Sequence, residues 1–116
     1  MNKVVRRGDI WITDWSPSRG SEQAGQRPAV VVQTDAANSN PHYPNTIVLT
    51  ISTKGKAVPF HLSVSPSGQN GLREVSFVKC EQLLTISKER LVRRVGNLED
   101  EYLRTIAVVL RRILEI

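Results

Sequence analysis

Gly20-Ser21-Glu22-Gln23-Ala24-Gly25-Gln26-Arg27-Pro28 runs directly into Ala29-Val30-Val31-Val32. A loop rich in glycine and polar residues ends on one arginine at the mouth of a short apolar run, which reads as a buried strand. Pro28 fixes its own φ and disfavours the helical region for Arg27, so the guanidinium is expected on extended backbone. The loop, Ser16 to Gln26, opens with Ser16-Pro17 and is long for a hairpin connection. Loops of that length tend to be functional or mobile, and this one reads as a mobile loop with a fixed cation at its end, a start for a site that handles phosphate.

Outward from this stretch the pattern is short strands, then one helix. Gly8 to Trp15 alternates Ile10 and Ile12 against Trp11, Thr13 and Trp15, which puts apolar weight on both faces. Pro28 to Thr34, Thr46 to Thr53, Val58 to Val64 and Glu74 to Cys80 read as further strands, and Leu91 to Val95 as a weaker one. Asp35 to Pro44 and Ser65 to Gly71 read as loops, Lys54-Gly55-Lys56 as a turn, and Ser87 as the cap of a short turn through Arg90. On the third strand Thr50 and Ser52 share the side opposite Leu49 and Ile51. The last segment predicts a helix with Asn97 as N-cap, Asp100 three residues on, acidic residues in its first turn and Arg111 and Arg112 near its end. Leu98, Tyr102, Leu103, Ile106, Val109, Leu110 and Ile113 make its apolar stripe. The fold class is therefore mainly β: a small barrel with a C-terminal helix packed on it, in one domain over residues 1–116.

Sixteen Lys and Arg against 11 Asp and Glu give a formal net charge of +5, which suits either solubility or attraction to a polyanion such as nucleic acid. Cys80 is the only cysteine, so no intramolecular disulfide forms and a reducing, cytoplasmic setting is compatible. The N-terminal residues lack the apolar core of a secretory signal, and no apolar run has membrane-spanning length. His42 and His61 stand apart with no metal-ligand spacing, which argues against a metal, and the glycine loop lacks the Gly-Lys-Ser/Thr of a phosphate-cradling motif. No cofactor is expected.

What remains is a guanidinium, a hydroxyl and a carboxylate: Arg27 at the start of one strand, Ser52 or Thr53 at the end of another, and Glu81 after a third. RNA carries its own nucleophile, the 2′-hydroxyl, so cutting it needs a proton acceptor, a cation for the developing phosphorane charge and a proton donor for the leaving oxygen. Arginine is always charged and offers a planar fork of donors, so it fits the cation's role and not the base's. Glu81 suits the base or the orientation of Arg27, and Ser52 a hydrogen bond to phosphate. Each also has an ordinary reading. Arg27 could pair with Glu22, Ser52 and Thr53 could be strand-edge hydroxyls, and Glu81 could solvate a turn.

Arg7-Gly8-Asp9-Ile10-Trp11, the Gly20–Val32 stretch, Ile47-Val48-Leu49-Thr50-Ile51-Ser52-Thr53 and Lys79-Cys80-Glu81-Gln82-Leu83-Leu84-Thr85-Ile86 together resemble the MazF/PemK (Kid) toxins of bacterial toxin–antitoxin modules. The Gly-x-Glu-Gln-x-Gly-x-Arg-Pro block is specific in combination, and the other blocks follow in the family's order. The resemblance implies an SH3-like barrel of the MazF/PemK/CcdB type, a homodimer, and a metal-independent endoribonuclease. Such an enzyme cuts single-stranded RNA at short sequences, leaving a 2′,3′-cyclic phosphate and a 5′-hydroxyl. It also implies a partner antitoxin that blocks the RNA site with an extended acidic segment.

On the same resemblance the family's essential arginine falls on Arg27 and its catalytic threonine on Ser52, with Thr53 the next hydroxyl. The acidic position of the plasmid branch falls on Glu81, and Lys79 stands where that branch has arginine. Ser21, Glu22, Gln23, Lys54, Lys56, Lys79, Gln82 and Trp15 are expected around the RNA and antitoxin surface, Trp15 also being a candidate for the core. Ser52 lacks the usual threonine methyl, Glu81 is one methylene longer than aspartate, and Ser21 stands where some members carry histidine. Two other functions share the fold: a non-catalytic toxin that binds DNA gyrase, and a degenerate member that only dimerises and binds antitoxin.

Overall fold

The structure, a computed structural model, describes residues 3–16 and 25–116. Its strands are β1 (Asp9–Asp14), β2 (Gln26–Val31), β3 (Asn45–Ser52), β4 (His61–Val64), β5 (Ser76–Ser87) and β6 (Leu91–Asn97), with helices α1 (Asp35–Asn38) and α2 (Asp100–Leu114). The six strands form one sheet in the order β4-β5-β3-β2-β1-β6. Every neighbouring pair is antiparallel.

Alternation along the strands gives the sheet two different faces. Ile10, Val30, Leu49, Ile51, Val64, Val78 and Cys80 gather on one of them with Leu98 and Ile106. The α2 stripe, with Tyr102, Leu103, Val109 and Leu110, lies on this cluster, and Ile106 is the residue of α2 that is wholly buried. The alternate residues Trp11, Ala29, Val31 and Val48 form a second cluster on the opposite face with Val5, Trp15, Ile86 and Leu91. The apolar weight expected on both faces of the first strand is therefore divided between two cores. Beyond the second cluster, the same face turns polar.

The expected barrel takes the form of an open sheet. Its edge strands β4 and β6 do not pair; the loop after β4 bridges toward β6 instead. Asn97 donates its backbone N–H to the Gln69 carbonyl at 3.0 Å, and Gln69 Nε2 donates to Asn97 Oδ1 at 2.8 Å. Gly71 has φ +71° in this bridge, and a Cβ there would come within 2.1 Å of the Val95 carbonyl oxygen. Only glycine meets both demands.

Several sequence-based boundaries change. Asn97 belongs to β6 and is engaged with Gln69, so it does not cap the helix; the N-cap position is Glu99, whose side chain makes no cap bond. Glu99 accepts instead from Ser67 Oγ at 2.6 Å and Asn70 Nδ2 at 3.1 Å. The Asp35–Pro44 loop contains the short helix α1, gathered around the buried Asn38, which accepts from Thr46 Oγ1 at 2.8 Å and donates to the Gln33 carbonyl at 2.9 Å. The fourth strand starts at His61, not Val58. The fifth does not end at Cys80 but runs on to Ser87. Ser87 does cap the following turn, accepting from Glu89 N at 3.2 Å.

Candidate active site

Register brings the candidate residues together on the polar part of the open face. Ala29 lies opposite Thr50, Thr50 opposite Lys79, and Lys79 opposite His61, a row crossing β2, β3, β5 and β4. In the next row Ser52 lies opposite Phe77, and Phe77 opposite Ser63. The β2–β3 pairing ends at Ala29–Thr50; Arg27 on β2 and Ser52 on β3 each lie two residues beyond that pair. On its other side Arg27 pairs with Thr13. Arg27 is exposed; its backbone carbonyl accepts from Trp15 Nε1 at 3.3 Å, and its Nη1 donates to the Gln26 carbonyl at 3.4 Å. Trp15 is 8% exposed and sits in the second core. It thus braces the backbone under the arginine from inside.

Glu81 reaches this face by a break in the ladder. Leu49 pairs with Leu83 while the next residue, Thr50, pairs with Lys79, so Cys80, Glu81 and Gln82 have no partner on β3. A bulge re-aims the side chains it contains. Gln82 Oε1 accepts from the buried Thr50 hydroxyl, and Glu81 Oε2 lies 2.8 Å from His61 Nε2. Cys80 turns into the covered core, where burial and the neighbouring Glu81 push its thiol up to about 11. A thiol held neutral at physiological pH is no nucleophile. The sequence puts Glu81 just after a strand; it lies instead in a mid-strand bulge on a sheet face.

The 53–60 connection folds onto the same face. Ser52 Oγ accepts from Lys54 N at 3.1 Å and His61 Nδ1 from Lys56 N at 3.0 Å. A Cβ on Gly55 would come within 2.1 Å of Phe77 Cγ, so the turn rests directly on the aromatic ring. Lys54 is thereby held beside Ser52 and Lys56 beside His61, and Thr53 is exposed next to Lys54. Ser21, Glu22 and Gln23 lie outside the described residues. In the sequence His61 stands as a lone strand residue. Its proximity to Glu81 depends on the β4–β5 register, and no local motif signals it. Among the described residues, no group of three or more His, Cys, Asp or Glu side chains is placed to hold a metal, and no helix is long and apolar enough to cross a membrane.

Comparison with known proteins places this geometry in a family. Residues 6–114 match the model of the PemK-like, MazF-like toxins of type II toxin–antitoxin systems. The chain is 36% identical over 100 residues to endoribonuclease EndoA of Bacillus subtilis (strain 168), covering 84% of each protein. The chain belongs to the PemK-like, MazF-like toxin family. The fold is shared with MazF of Deinococcus radiodurans (TM-score 0.81, 21% identity, 99% of this chain and 100% of that one). It is shared also with a mycobacterial endoribonuclease solved in complex with its cognate antitoxin (TM-score 0.79, 20% identity, 97% and 96%).

Proposed function

We propose that this protein is the endoribonuclease toxin of a toxin–antitoxin module, cutting single-stranded RNA at short sequences without a metal ion. The observation that carries the proposal is the polar sheet face that gathers Ser52, Lys79, Glu81 and the Lys54–Lys56 turn, with the exposed Arg27 on the neighbouring strand just beyond the Ala29–Thr50 pair.

The chemistry follows from the donors available. RNA lies across the open face with its scissile phosphate between Arg27 and Ser52. Ser52 Oγ already accepts from Lys54 N, so its own proton is left to donate to a phosphate oxygen. Glu81 takes the proton of the 2′-hydroxyl, which attacks the adjacent phosphorus. The 5′-oxygen leaves and takes up a proton from solvent water, and the products are a 2′,3′-cyclic phosphate and a 5′-hydroxyl. Arg27 clamps the equatorial oxygens, whose charge grows in the transition state. Lys54, Lys56 and Lys79 hold flanking phosphates, and Gln82, fixed by Thr50, offers its amide N–H groups toward a base. Thr53 is the reserve hydroxyl.

The same cationic face suits an extended acidic segment of a cognate antitoxin, which would then compete with RNA. Family membership supports a homodimer as the working form. The test is to incubate the purified protein with a mixed RNA pool in EDTA and map the new ends. Discrete cuts bearing a cyclic phosphate and a 5′-hydroxyl are expected. An intact pool would contradict the proposal, and so would cutting that needs added metal.

A further inference from the structure

His61 has no part in the cleavage chemistry above, yet both of its ring nitrogens are engaged at the site. Nδ1 lies 3.0 Å from the backbone N–H of Lys56 and Nε2 lies 2.8 Å from Glu81 Oε2. A backbone N–H can only donate, so Nδ1 must present its lone pair. The ring proton then sits on Nε2 and is donated to the carboxylate. The ring stands edge-on to Phe60, at 89° and 5.3 Å between centroids. The imidazole is 5% exposed where its Glu81 partner is 35% exposed. A nearly buried ring therefore holds a carboxylate that is open to solvent.

Both groups it holds need holding. Glu81 lies in the bulge, with no β3 residue opposite it, and a free glutamate would sample many rotamers. His61 occupies one carboxylate oxygen, Oε2, and leaves Oε1 to accept a proton. Lys56 belongs to the turn that carries two cations and rests on Phe77. One ring thus links that turn to the carboxylate across β4 and β5.

We propose that His61 is a positioning residue of the cleavage site: a neutral imidazole, protonated on Nε2, that aims the Glu81 carboxylate and pins the Lys54–Lys56 turn against the sheet. This rests on the endoribonuclease reading and on Glu81 as the proton acceptor. His61 does not touch the RNA; it acts through Glu81 and Lys56.

The test compares His61→Phe, His61→Gln, Glu81→Gln and the His61→Phe/Glu81→Gln double variant in RNA cleavage, with Arg27→Ala as a reference. Phenylalanine keeps the ring volume and loses both hydrogen bonds. His61→Phe is expected to lower kcat about ten- to a hundredfold, through misplacement of the base, with a smaller change in KM. Glutamine can accept from Lys56 N and donate to Glu81, so His61→Gln should recover most of the rate. In the Glu81→Gln background His61→Phe should cost less than about twofold, because its route to the chemistry is already gone.

If the parent cuts RNA and Arg27→Ala does not, an unimpaired His61→Phe overturns the inference alone. Losses that simply multiply in the double variant overturn it as well. A parent that does not cut defeats the site assignment and this inference together. Should His61→Phe not fold, imidazole ¹⁵N shifts of the parent carry the test. An Nε2-protonated His61 with a slowly exchanging Lys56 amide supports the proposal, and a proton on Nδ1 overturns it.

Discussion

The two faces of the sheet are built from alternate residues of the same strands and differ in what their side chains are held by. On the face under α2, Leu49, Ile51, Val30 and Val78 are fully buried and belong to one apolar cluster, so volume is the main requirement there. On the open face, Thr50, Ser52, Glu81 and His61 each have a specific partner: Gln82, the Lys54 amide, His61 and the Lys56 amide. Changing one residue changes stability on the first face, and on the polar part of the second it changes the aim of a neighbour. One strand can serve both ends because its period of two keeps the two sets apart.

Substitutions should respect that division. Ile106→Ala on the covered face should cost about 2–5 kcal/mol of unfolding free energy, read from denaturant titration, since the site is fully buried. Activity per folded molecule should be unchanged; a cleavage defect without destabilisation would erase the contrast. Ser52→Ala on the open face should reduce cleavage by about tenfold or more with little change in melting temperature, if its hydroxyl meets the phosphate. Thr53→Ala should cost less, and the reverse order in single-turnover assays would move the functional hydroxyl by one residue.

Gly55→Ala sharpens the comparison, because its Cβ would collide with the root of the Phe77 ring and the turn must lift. A loss of cleavage smaller than that of Ser52→Ala, with the Lys56 amide exchanging faster, is the expected outcome.

The smallest effect concerns pH. Burial alone would raise the Glu99 carboxyl, but hydrogen bonds from Ser67, its own backbone N–H and Asn70 outweigh it, and the net shift is below the ordinary 4.5. Stability from this group is complete above its unfolded pKa and is lost as pH falls through the lower folded value. Glu99→Gln should flatten stability in that acid range and leave neutral-pH cleavage alone; an unchanged acid limb would contradict the assignment.

Much of the covered face was legible in the sequence, because periodicity reports burial directly: the strands around Val30, Leu49 and Val78 stand where alternation puts them, and the helical period puts Tyr102, Leu103, Ile106, Val109 and Leu110 on the core, while Ile113 of the expected stripe is exposed. Arg27 was legible too, since Pro28 fixes its backbone locally. The bulge at Cys80–Gln82 was not. It depends on how β5 slips against β3, a pairing between residues some thirty positions apart. His61 stayed hidden for the same reason: its partner is 20 residues away and becomes a neighbour only through the β4–β5 register. Asn97 misled because its side chain, a good cap in isolation, is committed to Gln69 across the sheet edges. The short helix around Asn38 reads as a loop in the sequence because Asp35-Ala36-Ala37-Asn38-Ser39-Asn40 is turn-rich and its order comes from Thr46 on the next strand.

The division between a face that holds the fold and a face proposed to cut RNA is tested most directly by Arg27→Ala, with RNA cleavage in EDTA and unfolding free energy measured on the same sample. Cleavage should fall about a hundredfold or more, the loss of a preorganised charge clamp, while stability stays within about 0.5 kcal/mol of the parent, as for an exposed side chain. A stable Arg27→Ala protein that cuts RNA as fast as the parent would contradict the account.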